Sequence, residues 1–307
     1  QNTSGNYNTA LGQNTLKVNT TGIHCLAVGT NSLAANTTAE SNTAVGSYSN
    51  DECTTGADNT SVGRSTLGTN QTGARNLAVG TYALFDLLEN SDNTALGYKA
   101  AFNYTNAQVT AVGSKCLETA TTANYTVGVG YLALNYLTTG DHNTAVGFQA
   151  MERTTTGNNS TAMGSYALAY QTTGTYNTAF GKSALGGDAV TGSGNVGVGY
   201  RTLYACTSGT TNVAVGFDTL LSLTTGNDNT AVGDRAGDAI TTAEENCAFG
   251  KSALGAQTTG NYNVAVGKSA LSASTTGYGN TALGKGSGQA ITTGYANTLL
   301  GRQAGQT

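Results

Sequence analysis

Proline and tryptophan are absent from this 307-residue chain, histidine occurs twice, cysteine five times, and only 10% of residues are charged. The 13 Lys and Arg are dispersed among 17 Asp and Glu, so no basic stripe is legible along the sequence, and a nucleic-acid partner is not expected. No run of 18 apolar residues occurs, which excludes a helical membrane span in this segment. Gln1 opens the chain without a charged-then-apolar leader, so targeting and anchoring parts are expected elsewhere on a longer polypeptide. Low charge with high polarity is often a mark of disorder. Against that stands an apolar content of 38%, delivered as single Val and Leu residues at fixed intervals.

Those intervals are set by a recurring Asn-Thr-Ala-Val-Gly. Its Gly falls at Gly12, Gly29, Gly46, Gly63, Gly80, Gly97, Gly113, Gly130, Gly147, Gly164, Gly181, Gly199, Gly216, Gly233, Gly250, Gly267, Gly284 and Gly301, spaced by 17 residues except for one 16 and one 18. Helical repeats are longer than this, and no apolar spacing of three and four is present. The expected fold is all-β: a parallel β-solenoid of about 18 coils, forming one repetitive domain over residues 1–307 as a segment of a longer fibre. A lone coil cannot offset the entropy of ordering its backbone, so each must template the next. At about 4.8 Å per coil the expected rod is roughly 85 Å long.

Within the motif, period-two alternation puts the residue before the Gly and the one two places earlier on one face. The first is Val, Leu, Met or Phe in every coil; the second is Thr interchanging with Leu26, Leu77, Val127, Val213, Cys247 and Val264. These columns are expected to face inward, with Leu16, Leu33, Leu67 and their successors supplying the opposite wall. Where that Leu becomes Gly237 or Gly288, Ile240 or Ile291 stands three residues on as the expected refill. The Ala between the two columns would then point outward, making Ala95, Ala145, Ala162, Ala231 and Ala265 candidates for an oligomer interface. The Thr-Thr-Gly-x-x-Asn stretch carries turn chemistry. Its Asn recurs in 14 of 18 coils, as Asn42, Asn93, Asn143, Asn177, Asn229 and Asn263, and would stack into an amide ladder beside Gly46, Gly97, Gly147, Gly181, Gly233 and Gly267.

The motif, as in Asn143-Thr144-Ala145-Val146-Gly147 and Asn229-Thr230-Ala231-Val232-Gly233, resembles the head repeat of YadA-like trimeric autotransporter adhesins and similar arrays in trimeric phage tail fibres. The resemblance covers essentially the whole chain and implies a left-handed β-roll, three chains about one axis, and an extracellular place on a cell surface or virion. The coil here is longer than the usual adhesin-head repeat, and no heptad stalk follows.

Little points to catalysis, a metal or another cofactor. His24 and His142 lie seven coils apart in a variable column, roughly 34 Å by strand spacing, too far to share a metal or a triad. No recurring carboxylate pair suits glycoside hydrolysis, although carboxylates from distant coils would keep a polysaccharide-cleaving tailspike open. The five Cys occupy four columns and form no disulfide ladder. Tyr82, Tyr131, Tyr166 and Tyr200 flank the motif Gly, where aromatic faces suit a sugar ring or a protein partner and also simply suit a pleated surface. The expected role is a structural and adhesive fibre module whose partners are copies of itself and a host-surface glycan or protein. Ice binding is the alternative, but Thr20-Thr21 and Thr138-Thr139 are adjacent, where an ice-type array needs Thr-x-Thr on one face.

Overall fold

A computed structural model describes residues 2–106 and 108–306. The described residues form an all-β parallel β-solenoid, with no helix among them. The chain divides into two compact units, Gln1–Thr156 and Gly157–Thr307. The first unit carries strands β1 (Thr9–Leu11), β2 (Leu26–Val28), β3 (Thr43–Val45), β4 (Thr60–Val62), β5 (Leu77–Val79), β6 (Thr94–Leu96), β7 (Val109–Val112), β8 (Thr126–Val129) and β9 (Thr144–Val146). The second carries β10 (Thr161–Met163), β11 (Thr178–Phe180), β12 (Val196–Val198), β13 (Val213–Val215), β14 (Thr230–Val232), β15 (Cys247–Phe249), β16 (Val264–Val266), β17 (Thr281–Leu283) and β18 (Thr298–Leu300).

Every strand coincides with the motif, and each coil contributes one. Pairing is parallel and in register, Ala27 on Ala44 and Ala231 on Ala248. The register survives both irregular spacings, with Thr94 opposite Thr110 and Thr178 opposite Val196, so the missing and the extra residue are absorbed outside the strands. Backbone pairing between coils continues around the turns: Leu33 N–H donates to the Ser49 carbonyl at 3.1 Å and Thr20 N–H to the Thr37 carbonyl at 2.9 Å. The first Thr of each pair adds its hydroxyl, as from Thr37 to the Thr54 carbonyl at 3.0 Å.

The motif Gly is demanded by backbone geometry. Gly46, Gly97, Gly147, Gly181, Gly233 and Gly267 hold φ between 129° and 140°, and a Cβ on Gly46 would lie 2.3 Å from the Gly63 carbonyl oxygen. More surprising is the core Leu column, which holds φ of 45–55° from Leu16 to Leu271, a left-handed conformation that costs a bulky residue about 1–2 kcal/mol. Burial offsets that strain, since Leu33, Leu67, Leu84 and Leu254 are fully enclosed. Gly at this column relaxes the backbone and opens a hole. Ile240 fills the hole at Gly237, where an added Cβ would lie 2.9 Å from its Cδ1. At Gly288 the side chains nearest to such a Cβ are those of Leu271 and Leu299, at 2.7 and 2.9 Å, rather than that of the expected Ile291.

The two faces of the strand are reversed from expectation. Ala95, Ala145, Ala162, Ala231 and Ala265 are buried inside the solenoid and form no outer surface, while the flanking Thr/Val and Val/Leu columns look outward. Alternation separates two faces without saying which is inside, and the deciding factor is the thinness of the coil. The Ala methyl meets a wall of small residues, and at two coils, those of Gly128 and Gly197, there is no room for it. A Cβ on Gly128 would sit 2.5 Å from Cys116 Sγ, and one on Gly197 would sit 2.8 Å from Thr202 Oγ1.

A third inward column, of which the sequence pointed only to Ile240 and Ile291 because its chemistry varies, lies in the turn before the paired Thr. It includes Asn36, Cys53, Asn70, Leu87, Tyr104, Leu137 and Leu223, all buried.

The Asn column forms a continuous amide ladder within the second unit. Asn229 Oδ1 accepts from Asn246 N–H and Nδ2, both at 3.1 Å, and Asn229 Nδ2 donates to the Ala243 carbonyl at 2.7 Å. The same pattern joins Asn59, Asn76 and Asn93 in the first unit.

Two substitutions test this architecture. Ala145→Leu is expected to destabilise the chain by about 1–3 kcal/mol through overpacking, read as a fall in denaturant midpoint. Asn229→Ala strands the Asn246 N–H and should cost about 1–3 kcal/mol, with amide exchange accelerating first in the coils around residues 212–246.

Candidate functional site

The most extensive surface feature is the outer face of the strands. The residue before the motif Gly is apolar in all 18 coils. Its side chain is left partly or largely uncovered: Leu11 is 68% exposed, Phe180 53% and Leu283 47%, with Val62, Met163 and Phe249 also exposed. Beside it runs the Thr/Val column, with Val264 exposed and Cys247 half-buried. In each unit this sets one wholly apolar column beside a column of mixed Thr and apolar residues on a short-stranded sheet, and a continuous exposed apolar stripe is a feature that soluble monomers seldom present. These columns are legible in the sequence but lie on the opposite side from the one expected, because an apolar column is ordinarily an inward one.

The four Tyr singled out from the sequence occupy two columns and are not brought into one site. Tyr82 accepts a hydrogen bond from Arg64 Nη2 at 2.6 Å and meets Phe85 and Phe102 edge-on. Tyr131 stacks on Phe148, centroids 5.6 Å apart. In the second unit Tyr200 stacks on Phe217 at 5.1 Å with the Arg201 guanidinium over its ring, while Tyr166 is half-buried. Tyr82, Tyr131 and Tyr200 therefore each have an aromatic or cationic neighbour within their own unit, and Tyr131 and Tyr200 remain exposed.

Each His stacks on a Tyr of the preceding coil, His24 on Tyr7 at 5.1 Å and His142 on Tyr125 at 4.9 Å. Among the described residues no group of three His, Cys, Asp or Glu is placed to hold a metal ion, and no helix is long and apolar enough to cross a membrane. Burial pushes the thiols of Cys53 and Cys116 up to about 12 and that of Cys206 to about 11, which leaves little nucleophilic thiolate at neutral pH. In the Thr pairs the first hydroxyl is spent on the next coil, as Thr138 on the Thr155 carbonyl, and the second, as in Thr139, stays exposed. Within the pairs one hydroxyl row thus faces solvent, without the Thr-x-Thr spacing that an ice-type array needs.

No family model matches the chain, and no curated protein matches it. The resemblance to the adhesin-head repeat therefore rests on the motif itself.

Asp51 is the carboxyl most displaced by its surroundings. Burial, with Glu52 adding repulsion, raises it from 3.8 to about 6. The folded state favours the protonated acid, so its contribution to stability is full below pH 3.8 and is lost as pH rises through about 6. Asp51→Asn is expected to raise the melting temperature at pH 7 and leave it unchanged at pH 3.5. Because the group is half exposed, screening limits the gain to the order of 1 kcal/mol.

Proposed function

We propose that this chain is a structural and adhesive fibre module, non-catalytic, whose copies associate side by side through the outward Val/Leu face. The reading is carried by one observation: the column before the motif Gly is apolar in every coil yet points away from the interior. Apolar surface of this extent is stabilised by being covered, at about 25 cal/mol per Å². A second copy is the natural cover because a repeat presents the same column at the same spacing along its whole length. Parallel copies match it coil for coil. The motif resemblance adds a left-handed coil, three chains about a common axis, and an extracellular position on a cell surface or virion. The exposed Tyr131 and Tyr200 suit an adhesive role toward a glycan or protein.

Sedimentation of the purified chain should give an oligomer, and a stable monomer at micromolar concentration would overturn the proposal. Val62→Glu combined with Phe180→Glu, both at exposed positions, is expected to shift the chain to monomer with its circular dichroism intact. Cys247 looks outward from β15, so a short bis-maleimide should cross-link the wild type into dimers and fail with the double variant.

A further inference from the structure

All 17 acidic residues lie at or before Glu245. The segment 246–307 carries four charges, all positive, at Lys251, Lys268, Lys285 and Arg302. Each directly follows a motif Gly, so stacking collects residues that are 17 apart in sequence into one column. The backbone shows the alignment: Ser269 N–H donates to the Lys251 carbonyl at 2.9 Å, Gly286 N–H to that of Lys268 at 2.9 Å, and Gln303 N–H to that of Lys285 at 3.0 Å. All four side chains are exposed. Lys251 is neutralised by Asp234 at 2.7 Å, but no acid among the described residues pairs with Lys268, Lys285 or Arg302. Like charges opposed on neighbouring strands are destabilising, so this column is an unneutralised cationic ladder whose natural complement is an anion repeating along a line.

The groups beside the ladder are short hydrogen-bonding side chains. A shallow groove runs between Lys268 and Lys285, lined by Ser269, Gln289, Gln303 and Gln306 with Gly286 as its floor. A Cβ on Gly286 would come 3.2 Å from Gln289 Oε1 and 3.3 Å from Gln306 Nε2, so the glycine keeps the groove open. From this geometry we infer that the ladder of Lys268, Lys285 and Arg302 binds a linear anionic polysaccharide, its acidic groups on the cations and its hydroxyls on the flanking Ser and Gln. One cation per coil, about every 4.8 Å, is comparable to the length of a sugar unit in an extended chain. Duplex DNA carries a charge about every 1.7 Å and would leave most phosphates unmatched. A single line of cations also suits a chain better than a membrane plane. The site is complete on one chain and goes beyond the self-association proposed above. Copies stacked in register would not neutralise it, since the same coils of each copy lack acids.

The test is a titration of the full chain with size-defined heparin oligosaccharides over a salt series, beside a single-stranded oligonucleotide and phosphatidylserine vesicles. The wild type is expected to bind heparin, with Lys268→Gln/Lys285→Gln/Arg302→Gln weakening binding at least tenfold and lowering the salt slope by about one per cation removed. The equal-charge control Lys17→Gln/Arg64→Gln/Lys182→Gln should bind as the wild type does. No heparin binding at low salt, equal loss in both triple variants, or tighter binding to the oligonucleotide or vesicles would each overturn the inference. Sedimentation of the same samples reports self-association separately, so the two readings fail independently.

Discussion

A buried side-chain amide needs several hydrogen bonds to be tolerated, and in this chain it obtains most of them from the coil above and the coil below, with a further one from its own turn, as from Asn246 Nδ2 to the Glu244 carbonyl. Asn246 draws on the side-chain oxygen of Asn229 and offers its own oxygen to Asn263, while Asn229 Nδ2 reaches the Ala243 carbonyl. That arrangement requires every coil to arrive in the same register. The fixed period, the Gly-on-Gly contact and the left-handed Leu turn hold the same register, also in the four coils where Cys25, Val109, Thr126 or Ser160 replaces the Asn. A coil of different length is accepted only where its surplus or deficit can be absorbed in a turn, as between β6 and β7 and between β11 and β12.

The same register makes the interior narrow. With backbone walls this close, the space across the coil admits a methyl opposite a small residue, and at Gly128 and Gly197 even a Cβ would collide with Cys116 and Thr202. The larger apolar residues are consequently divided. Leu enters from the turn at the expense of a positive φ, and the strand's own Val and Leu are turned out. A solenoid this thin cannot bury its full apolar content alone, which links its internal packing to the surface offered for association.

Much of the architecture was legible because a repeat states its own period. The invariant Gly, the strand at each motif and the Asn stack could all be read from columns such as Asn229, Asn246 and Asn263. The face assignment was not legible. The apolar replacements at Leu26 and Val213 argued for an inward column, yet they sit on an outer face that is apolar for its own reason. Nor was the third inward column visible beyond Ile240 and Ile291, since Asn36, Cys53 and Tyr104 share a position and no chemistry.

What the sequence determined by itself was therefore the periodic part: a parallel all-β stack with strand, turn and amide positions repeating every 17 residues, because hydrogen-bond register depends on spacing and spacing is written in the chain. What only the tertiary structure decided was direction and neighbourhood. Which side of a strand is inside depends on the distance to the opposite wall, and whether four scattered cations form a patch depends on where stacking puts them. Lys251, Lys268, Lys285 and Arg302 look dispersed in one dimension; folding aligns them, because residues one period apart become lateral neighbours.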